Sequence, residues 1–257
     1  MARQINIPDE PVQLYEVIRI IGGIPLFLED HLNRLYHSAR LTGMNQLPDY
    51  GLLTDLCRNF PDVQKRETGN IKLNLIFSAN FSEPKYELSF IPHHYPDPEA
   101  YLNGVKVGLL NADRPFPNAK MQHTQIRNLA DRLMEANHLF EVLLIDSAGE
   151  ITEGSRSNVF FIKGETLYTA HREKILQGIT WMKILQICKN EKIRVMETAI
   201  PTGDLDQFEG AFLTGTSPKV LPVSSVEKIA YRTDLPLLVR LQQRYDQMIA
   251  DYLKERR

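Results

Sequence analysis

Three short polar segments place residues that could do chemistry beside apolar runs. The first, residues 153–158, holds Glu153, two serines and Asn158 directly before a strongly apolar run. Residues 176–180 and 212–218 are rich in small residues, at the start of a predicted helix and the end of a predicted strand. Backbone N–H groups at such places can bind an anion. Taken one at a time, each segment has the composition of an ordinary turn or helix cap.

Taken together and in this order, the segments resemble the fold-type IV pyridoxal-phosphate enzymes. This family comprises branched-chain aminotransferases, D-amino-acid aminotransferases and aminodeoxychorismate lyases. The resemblance extends over residues 14–226 and is densest over residues 153–180. The matching residues there are Glu153, Ser155, Asn158-Val159-Phe160, Leu167-Tyr168-Thr169 and Leu176-Gln177-Gly178-Ile179. The chain departs from the family signature at Trp181, where the family usually has Arg or Lys.

The resemblance assigns the covalent chemistry to Lys120. In the family, a lysine that lies well before the signature acid and just ahead of a helix holds pyridoxal 5'-phosphate as a Schiff base. Lys120 occupies that place, because a helix is predicted to begin near Thr124. Lys120 is therefore the predicted catalytic residue, which binds the cofactor and moves the substrate α-proton as general base and acid. The family often has Asn three residues after this lysine, where this chain has His123.

The other cofactor and substrate contacts are also implied by the family. Glu153 is expected to accept a hydrogen bond from the protonated pyridine nitrogen, and Arg34 to bind the phosphate through its planar guanidinium. Tyr15 is expected to line the substrate side together with Thr216 and Ser217. The remaining predicted cofactor-binding residues are Ser157, Asn158, Ile179, Thr180, Thr216 and Ser217. Without the resemblance, Lys120 would be a solvated surface charge, Arg34 the polar side of an amphipathic helix and Tyr15 an ordinary strand aromatic.

Three functions are compatible with these residues. The segment Thr214-Gly215-Thr216-Ser217 resembles the phosphate loop of transaminases and favours transfer of an amino group between an amino acid and a 2-oxo acid. Residues 71–81 lack the two arginines and the histidine with which D-amino-acid aminotransferases hold the substrate carboxylate, so a branched-chain-like substrate fits better. The first alternative is an aminodeoxychorismate lyase, which releases pyruvate and 4-aminobenzoate with the same cofactor. The second is a catalytically degenerate member, which the joint presence of Lys120, Glu153 and Arg34 disfavours.

Composition restricts the partners and the compartment. The chain has 30 Lys+Arg and 32 Asp+Glu, a formal net charge of −2, and this balance disfavours a nucleic-acid partner. No apolar run is long enough to cross a bilayer, and residues 1–6 lack the apolar stretch of a secretory signal. Cys57 and Cys188 are far apart, which suits a reducing compartment and predicts no metal site. We expect a cytoplasmic enzyme with an amino acid and a 2-oxo acid as substrates, and the family implies a homodimer.

The elements that must position these residues mix strands and helices without strict alternation. Residues 14–21 and 24–28 flank a Gly22-Gly23 turn and predict a hairpin, and apolar residues at helical spacing predict a helix over residues 29–41. Further helices are predicted over residues 50–60, 124–137 and 235–255 and from residue 179. Further strands are predicted over residues 71–79, 85–92, 104–110, 140–145, 150–152, 157–162, 167–169, 193–197 and 210–214.

The domain organisation follows from residues 92–103, which carry three prolines and predict a linker. We expect two domains, over residues 1–98 and 103–257. The pattern of elements indicates an α+β or α/β fold class. The resemblance implies the two-domain fold-type IV architecture, with a smaller N-terminal α/β domain and a larger C-terminal pseudo-barrel domain that binds pyridoxal 5'-phosphate.

Trp181, the single tryptophan, has two alternative placements. It follows the predicted start of a helix at Gly178-Ile179, and we predict that it packs beside the phosphate site and reports cofactor binding by its fluorescence. A bulky aromatic residue is more commonly buried for packing, which would place Trp181 in the core.

Overall fold

The computed structural model describes residues 12–44, 47–78, 83–121 and 123–257. These residues form two compact units. The first contains the described residues up to His94, residues 119–121 and the C-terminal residues from Ile249, and the second contains Tyr95–Asn118 and His123–Met248. This grouping differs from the predicted consecutive domains over residues 1–98 and 103–257, because two short later segments belong to the first unit.

The first unit contains an antiparallel sheet of four strands, β1 (Val12–Ile21), β2 (Ile24–Pro25), β3 (Thr68–Phe77) and β4 (Lys85–Ile91), in the order β2-β1-β3-β4. The predicted hairpin is confirmed, since Gly22 and Gly23 form its turn with φ of +55° and +79°. Two predicted helices are also confirmed as α1 (Leu28–Leu41) and α2 (Tyr50–Asn59). Ala79, the last residue of the strand predicted over residues 71–79, and residues 1–6 lie outside the described residues.

The core of the first unit forms between one face of β1 and the apolar side of α1. Leu14, Ile18 and Ile20 alternate along β1 and are fully buried in one apolar cluster with residues of α1 such as Leu32. Glu16 has the same alternation and therefore lies on the same buried face. A carboxylate in this position needs charged or hydrogen-bonding partners from α1.

Two segments from later in the chain complete the first unit. Met121 forms an isolated antiparallel bridge with Leu14 of β1. The end of the last helix contacts the turn before α1, where the rings of Tyr252 and Phe27 lie 4.9 Å apart and the Tyr252 hydroxyl accepts the backbone N–H of Leu28 at 3.0 Å. These contacts explain why the compact unit does not follow the linear order of the chain.

The second unit contains a sheet of nine strands within the described residues. Its strands are β5 (Val105–Asn111), β6 (Glu141–Ile145), β7 (Ile151–Gly154), β8 (Asn158–Lys163), β9 (Thr166–Thr169), β10 (Arg194–Glu197), β11 (Gly210–Gly215), β12 (Lys219–Val226) and β13 (Ile229–Ala230). The main path runs β10-β9-β8-β11-β12-β5-β6-β7, and β13 pairs with β12. The helices are α3 (Pro98–Asn103), α4 (Thr124–Asn137), α5 (Ile179–Glu191) and α6 (Pro236–Lys254), the last of which continues into the first unit.

Two features of the second unit differ from the sequence-based expectation. The predicted linker over residues 92–103 contains α3, whose first turn is capped by the Asp97 side chain at 2.8 Å from the backbone nitrogen of Ala100. Strand β12 was not predicted, because Pro222 in its middle argues against a strand. Pro222 lies opposite Phe212 of β11 in the sheet.

Trp181 lies in the core of the second unit. Its side chain is 1% exposed, its ring stacks against Phe160 with centroids 6.3 Å apart, and its Nε1–H donates to Thr169 Oγ1 at 3.2 Å. This placement agrees with the alternative in which Trp181 is buried in the core for packing. No helix within the described ranges is long and apolar enough to span a membrane.

Candidate functional site

Glu153 is the buried acid at the end of β7. Its side chain is 3% exposed, and its Oε2 accepts the backbone N–H of Leu176 at 3.1 Å and Nδ2–H of Asn158 at 3.3 Å. Its Oε1 lies 3.0 Å from Nη1 of Arg114. The carboxylate is therefore held by two N–H donors on Oε2 and by the Arg114 cation beside Oε1.

Asn158, the first residue of β8, connects Glu153 to the segment before α5. Its Nδ2 also donates to the carbonyl oxygen of Leu176 at 2.7 Å. A Cβ on Gly178 would lie 2.2 Å from Asn158 Oδ1, so only glycine fits where the chain enters α5. The predicted residues Glu153 and Asn158 are thus in contact, and Ile179 and Thr180 begin the helix next to them in the chain.

The segment between Glu153 and Asn158 is fixed by Glu141, which the sequence analysis missed. Glu141 is 4% exposed. Its Oε1 accepts the hydroxyl of Ser155 at 2.6 Å, and its Oε2 accepts the hydroxyl of Ser157 at 2.9 Å and the backbone N–H of Arg156 at 3.1 Å. The predicted cofactor residue Ser157 therefore directs its hydroxyl to Glu141.

Thr214 provides a buried polar group without a partner. Its side chain is 1% exposed, and its hydroxyl makes no hydrogen bond within the described part of the chain. It lies opposite Asn158 in the antiparallel pairing of β11 and β8, so both side chains project from the same face of the sheet. An unsatisfied buried hydroxyl is costly unless a ligand or water binds it. Thr216 and Ser217, predicted to bind the cofactor and the substrate carboxylate, follow in the half-buried turn between β11 and β12.

In the first unit, Arg34 of α1 forms a buried ion pair with Glu16. Arg34 Nε and Nη2 donate to the two carboxylate oxygens at 2.8 and 2.6 Å, and His31 Nδ1 lies 2.7 Å from Oε2. Burial by itself raises the pKa of Glu16, but the charge and hydrogen bonds of Arg34 and the contact with His31 outweigh it and lower the pKa to about 2. Burial lowers the pKa of His31 against the opposing effect of Glu16.

Lys120 and Tyr15 lie together in the first unit. The backbone N–H of Tyr15 donates to the carbonyl oxygen of Lys120 at 3.2 Å, and the backbone N–H of Lys120 donates to Ser38 Oγ at 3.1 Å. The Lys120 Nζ lies 4.8 Å from the centroid of the Tyr15 ring. These contacts fix the lysine beside the strand residue that was predicted to line the substrate side.

His123 directly precedes α4 in the second unit. Burial and the nearby positive charges of Arg114 and Arg127 lower its pKa to about 4. Its Nε2 is buried and has no hydrogen-bond partner within the ranges that the structure describes. The imidazole is therefore neutral at neutral pH.

The structure thus groups the predicted residues by unit. Tyr15, Arg34 and Lys120 lie in the first unit, and Glu153, Ser157, Asn158, Ile179, Thr180, Thr216 and Ser217 lie in the second. Sequence reasoning missed their supporting residues Glu16, His31, Arg114 and Glu141, because each is distant in sequence from the residue that it contacts. The one available signal was a charge within an apolar strand pattern, as at Glu16.

The hydrogen-bonding groups of the second unit fit a ligand that has a protonated ring nitrogen and a phosphate. Glu153 can accept a ring N–H, and the orphaned Thr214 hydroxyl can hydrogen-bond to a polar ligand atom. The first turn of α5 offers backbone N–H groups suited to a phosphate.

Comparison with known proteins relates the chain to aminotransferases. Residues 13–226 match the family described as amino-transferase class IV. The chain is 30% identical to a D-alanine aminotransferase of Bacillus licheniformis over 83% of this chain and 78% of that protein. It is 32% identical to a protein named a probable branched-chain-amino-acid aminotransferase in Rickettsia felis, over 93% and 87% of the two chains.

A solved structure from Legionella pneumophila, described as a "Putative 4-amino-4-deoxychorismate lyase", has the same fold. The two structures superpose with a TM-score of 0.82 over 91% of this chain and 90% of that chain, at 21% sequence identity.

Proposed function

The chain belongs to the class IV aminotransferases, and on this premise we propose that it transfers an amino group between an amino acid and a 2-oxo acid with pyridoxal 5'-phosphate as cofactor. It has the fold-type IV architecture that the sequence predicts. The observation that carries the proposal is the family match over residues 13–226, which includes Lys120 before a helix and a buried Glu153. A branched-chain amino acid is the proposed donor.

The residues of this chain have separate tasks in the proposed reaction. Bound pyridoxal phosphate supplies an electron sink for the negative charge that develops at the substrate α-carbon. Lys120 would hold the cofactor covalently, and its amine, freed when the substrate amino group replaces it on the cofactor, would move the α-proton. Glu153 accepts the hydrogen bond of the ring nitrogen and keeps that nitrogen protonated.

Phosphate and substrate are held by the other proposed contacts. Arg34 and the backbone amides of Ile179 and Thr180 bind the phosphate, with Ser157 and Asn158 supporting the cofactor site. The backbone amides of Thr216 and Ser217 complete the phosphate site and receive the substrate carboxylate, and Tyr15 lines the substrate side. Thr214 is a further polar contact in the second unit, since its hydroxyl is buried and lies on the face that carries Asn158.

A panel of L- and D-amino acids tests the proposed function. The purified protein, loaded with pyridoxal phosphate, is mixed with each amino acid without an acceptor, and the cofactor is identified by mass spectrometry. We expect conversion to pyridoxamine phosphate, strongest with branched-chain donors. Pyruvate release from aminodeoxychorismate, with no conversion by any amino acid, would instead establish the lyase.

The attachment site is tested independently by reduction with borohydride and peptide mapping. We expect the pyridoxyl label on Lys120 and a loss of label in Lys120→Ala. Lys106 and Lys163 are exposed lysines of the second unit and serve as internal controls. A label on either of them in place of Lys120 would overturn the assignment.

We also propose a cytoplasmic homodimer. The dimer is implied by the family resemblance and by the prevalence of dyad dimers among soluble oligomers. Buried free thiols at Cys57 and Cys188 are compatible with a reducing compartment. Sedimentation velocity at decreasing concentration tests the assembly, and a monomer that retains full activity at high dilution would contradict it.

A further inference from the structure

Arg114, which the sequence analysis did not single out, is in contact with the proposed partner of the cofactor ring. We propose that Arg114 is a positioning residue that keeps Glu153 ionised and oriented toward the ring nitrogen. This inference rests on the proposed function, because it concerns the partner of the cofactor ring. It assigns to Arg114 an effect on the protonation state of that ring, exerted through Glu153.

The geometry of Arg114 restrains both the side chain and the backbone of the Glu153 segment. Nη1 lies 3.0 Å from Glu153 Oε1, and Nη2 donates to the backbone carbonyl of Ser155 at 3.2 Å. The Arg114 side chain is 13% exposed and that of Glu153 is 3% exposed, so water screens the pair weakly. One guanidinium therefore fixes the carboxylate and the chain that carries it.

The charge of Arg114 is the contribution that neutral donors cannot replace. Glu153 Oε2 accepts the neutral N–H groups of Leu176 and Asn158, while Oε1 faces the cation. A buried carboxyl group favours its protonated form unless a positive charge lies nearby. A protonated carboxyl group would be a weaker partner for a ring N–H, and the ring would lose its proton.

Contact with Arg114 leaves Oε1 able to accept a hydrogen bond from the ring N–H. The contact between Nη1 and Oε1 is an ion pair, and a carboxylate oxygen has two lone pairs, so Oε1 has acceptor capacity for a ring N–H. Arg114 and the cofactor therefore do not compete for a single acceptor position.

The loop that carries Arg114 is fixed at its other end as well. Asn118 Nδ2 donates to the carbonyl oxygen of Ile175 at 2.7 Å, and the next residue, Leu176, donates its N–H to Glu153. Because both ends of residues 114–118 are held near the Glu153 segment, the guanidinium is placed in advance of ligand binding. Because the Arg114 side chain is already ordered, less conformational entropy is lost when the cofactor binds.

The test compares Arg114→Met and Arg114→Lys with Arg132→Met, which removes an exposed arginine of α4. Each holoenzyme is loaded with pyridoxal phosphate carrying ¹⁵N at the ring nitrogen, and the ¹⁵N chemical shift reports whether that nitrogen is protonated. We expect a protonated ring in the native protein and in Arg132→Met. Arg114→Met should give an unprotonated ring, as should Glu153→Gln, and Arg114→Lys should give an intermediate pH profile.

A double-mutant cycle separates action through Glu153 from a general structural effect. Arg114→Met alone should lower kcat by about tenfold or more, but should change it by less than about twofold in a Glu153→Gln background. A fully protonated ring in Arg114→Met, or two effects on kcat that multiply, would overturn the proposal. If Arg114→Met does not fold, Arg114→Lys takes its place. A native ¹⁵N pH profile in Arg114→Lys, together with effects of Arg114→Lys and Glu153→Gln on kcat that multiply, would overturn the proposal.

The outcome also distinguishes this proposal from the proposed function. Native protein that binds no pyridoxal phosphate would contradict both. Native protein that transfers amino groups, with an Arg114→Met variant whose ring nitrogen and turnover are unchanged, would contradict only the assignment of Arg114.

Discussion

Arg34 and Glu16 form a buried two-point ion pair, in which Nε and Nη2 of the guanidinium lie 2.8 and 2.6 Å from the two carboxylate oxygens. Glu16 is fully buried on the apolar face of β1, and Arg34 is 9% exposed on α1. The pair fixes the plane of the guanidinium before any ligand is present. In the proposed function, phosphate binding therefore costs little further side-chain entropy at Arg34, because this side chain is already ordered in the folded protein.

Removal of Glu16 is expected to destabilise the protein. Glu16→Ala leaves the Arg34 charge buried without its carboxylate, and breaking a buried pair in this way typically costs about 3–5 kcal/mol. Urea unfolding measures the loss in the free energy of unfolding. Glu67→Ala, which removes an exposed glutamate of the same unit, serves as the control and should have little effect. A loss no larger than that of the control would contradict a structural role of the pair.

Acid should destabilise the protein partly through His123. Its pKa is about 4 in the folded protein, against an ordinary value of 6.5, because of burial and the charges of Arg114 and Arg127. Between these pH values the unfolded chain binds more protons, so the free energy of unfolding falls as the pH drops from about 6.5 to about 4. His123→Asn removes this proton uptake and should show a shallower decline in urea unfolding across that interval. Parallel curves for the two proteins would contradict the assigned pKa.

Glu153→Gln should separate cofactor binding from turnover. Glutamine keeps the size of the side chain, and its neutral amide no longer stabilises a protonated ring nitrogen. We expect retained binding of pyridoxal phosphate, measured by equilibrium dialysis, and loss of most of the turnover. Near-native turnover in the loaded variant would be evidence against the pairing of Glu153 with the ring.

Trp181→Ala should be strongly destabilising because it empties a packed position. The indole is buried, stacks on Phe160 and donates to Thr169, and replacement of a buried Trp by Ala typically costs about 3–5 kcal/mol. Trp181→Phe retains much of the volume and should cost clearly less. Thermal and urea unfolding of both variants check the order, and equal losses would contradict packing as the function of this side chain.

Local patterns in the sequence were sufficient to predict most elements of the fold. The helix over α1 follows from apolar spacing, and the hairpin before it follows from two adjacent glycines. Strand β12 was not predicted because Pro222 lacks the backbone N–H that a strand donates to its neighbour. Only the pairing with the neighbouring strands shows that the sheet accommodates this proline. The short helix α3 was missed because the three prolines of residues 92–98 resemble a linker, although Pro98 stands in the first turn of the helix, where proline is compatible.

The candidate site was predictable only where the family signature names a residue. Glu153, Asn158 and Lys120 came from the ordered match to that signature. The supporting residues Arg114, Glu141 and Glu16 were missed because their contacts join residues far apart in the chain, which periodicity does not encode. Glu141 illustrates this, since its hydrogen bonds to Ser155 and Ser157 cross from β6 to the segment between β7 and β8.

Transfer of an isotopic label tests the central claim most directly. The holoenzyme is incubated with a ¹⁵N-labelled branched-chain amino acid and an unlabelled 2-oxo acid, with Lys120→Ala as the matched control, and the products are analysed by mass spectrometry. We predict that ¹⁵N appears in the amino acid formed from the 2-oxo acid with the native protein and not with Lys120→Ala. Absence of label transfer from every donor of an L- and D-amino-acid panel, in native protein fully loaded with pyridoxal phosphate, would contradict the account.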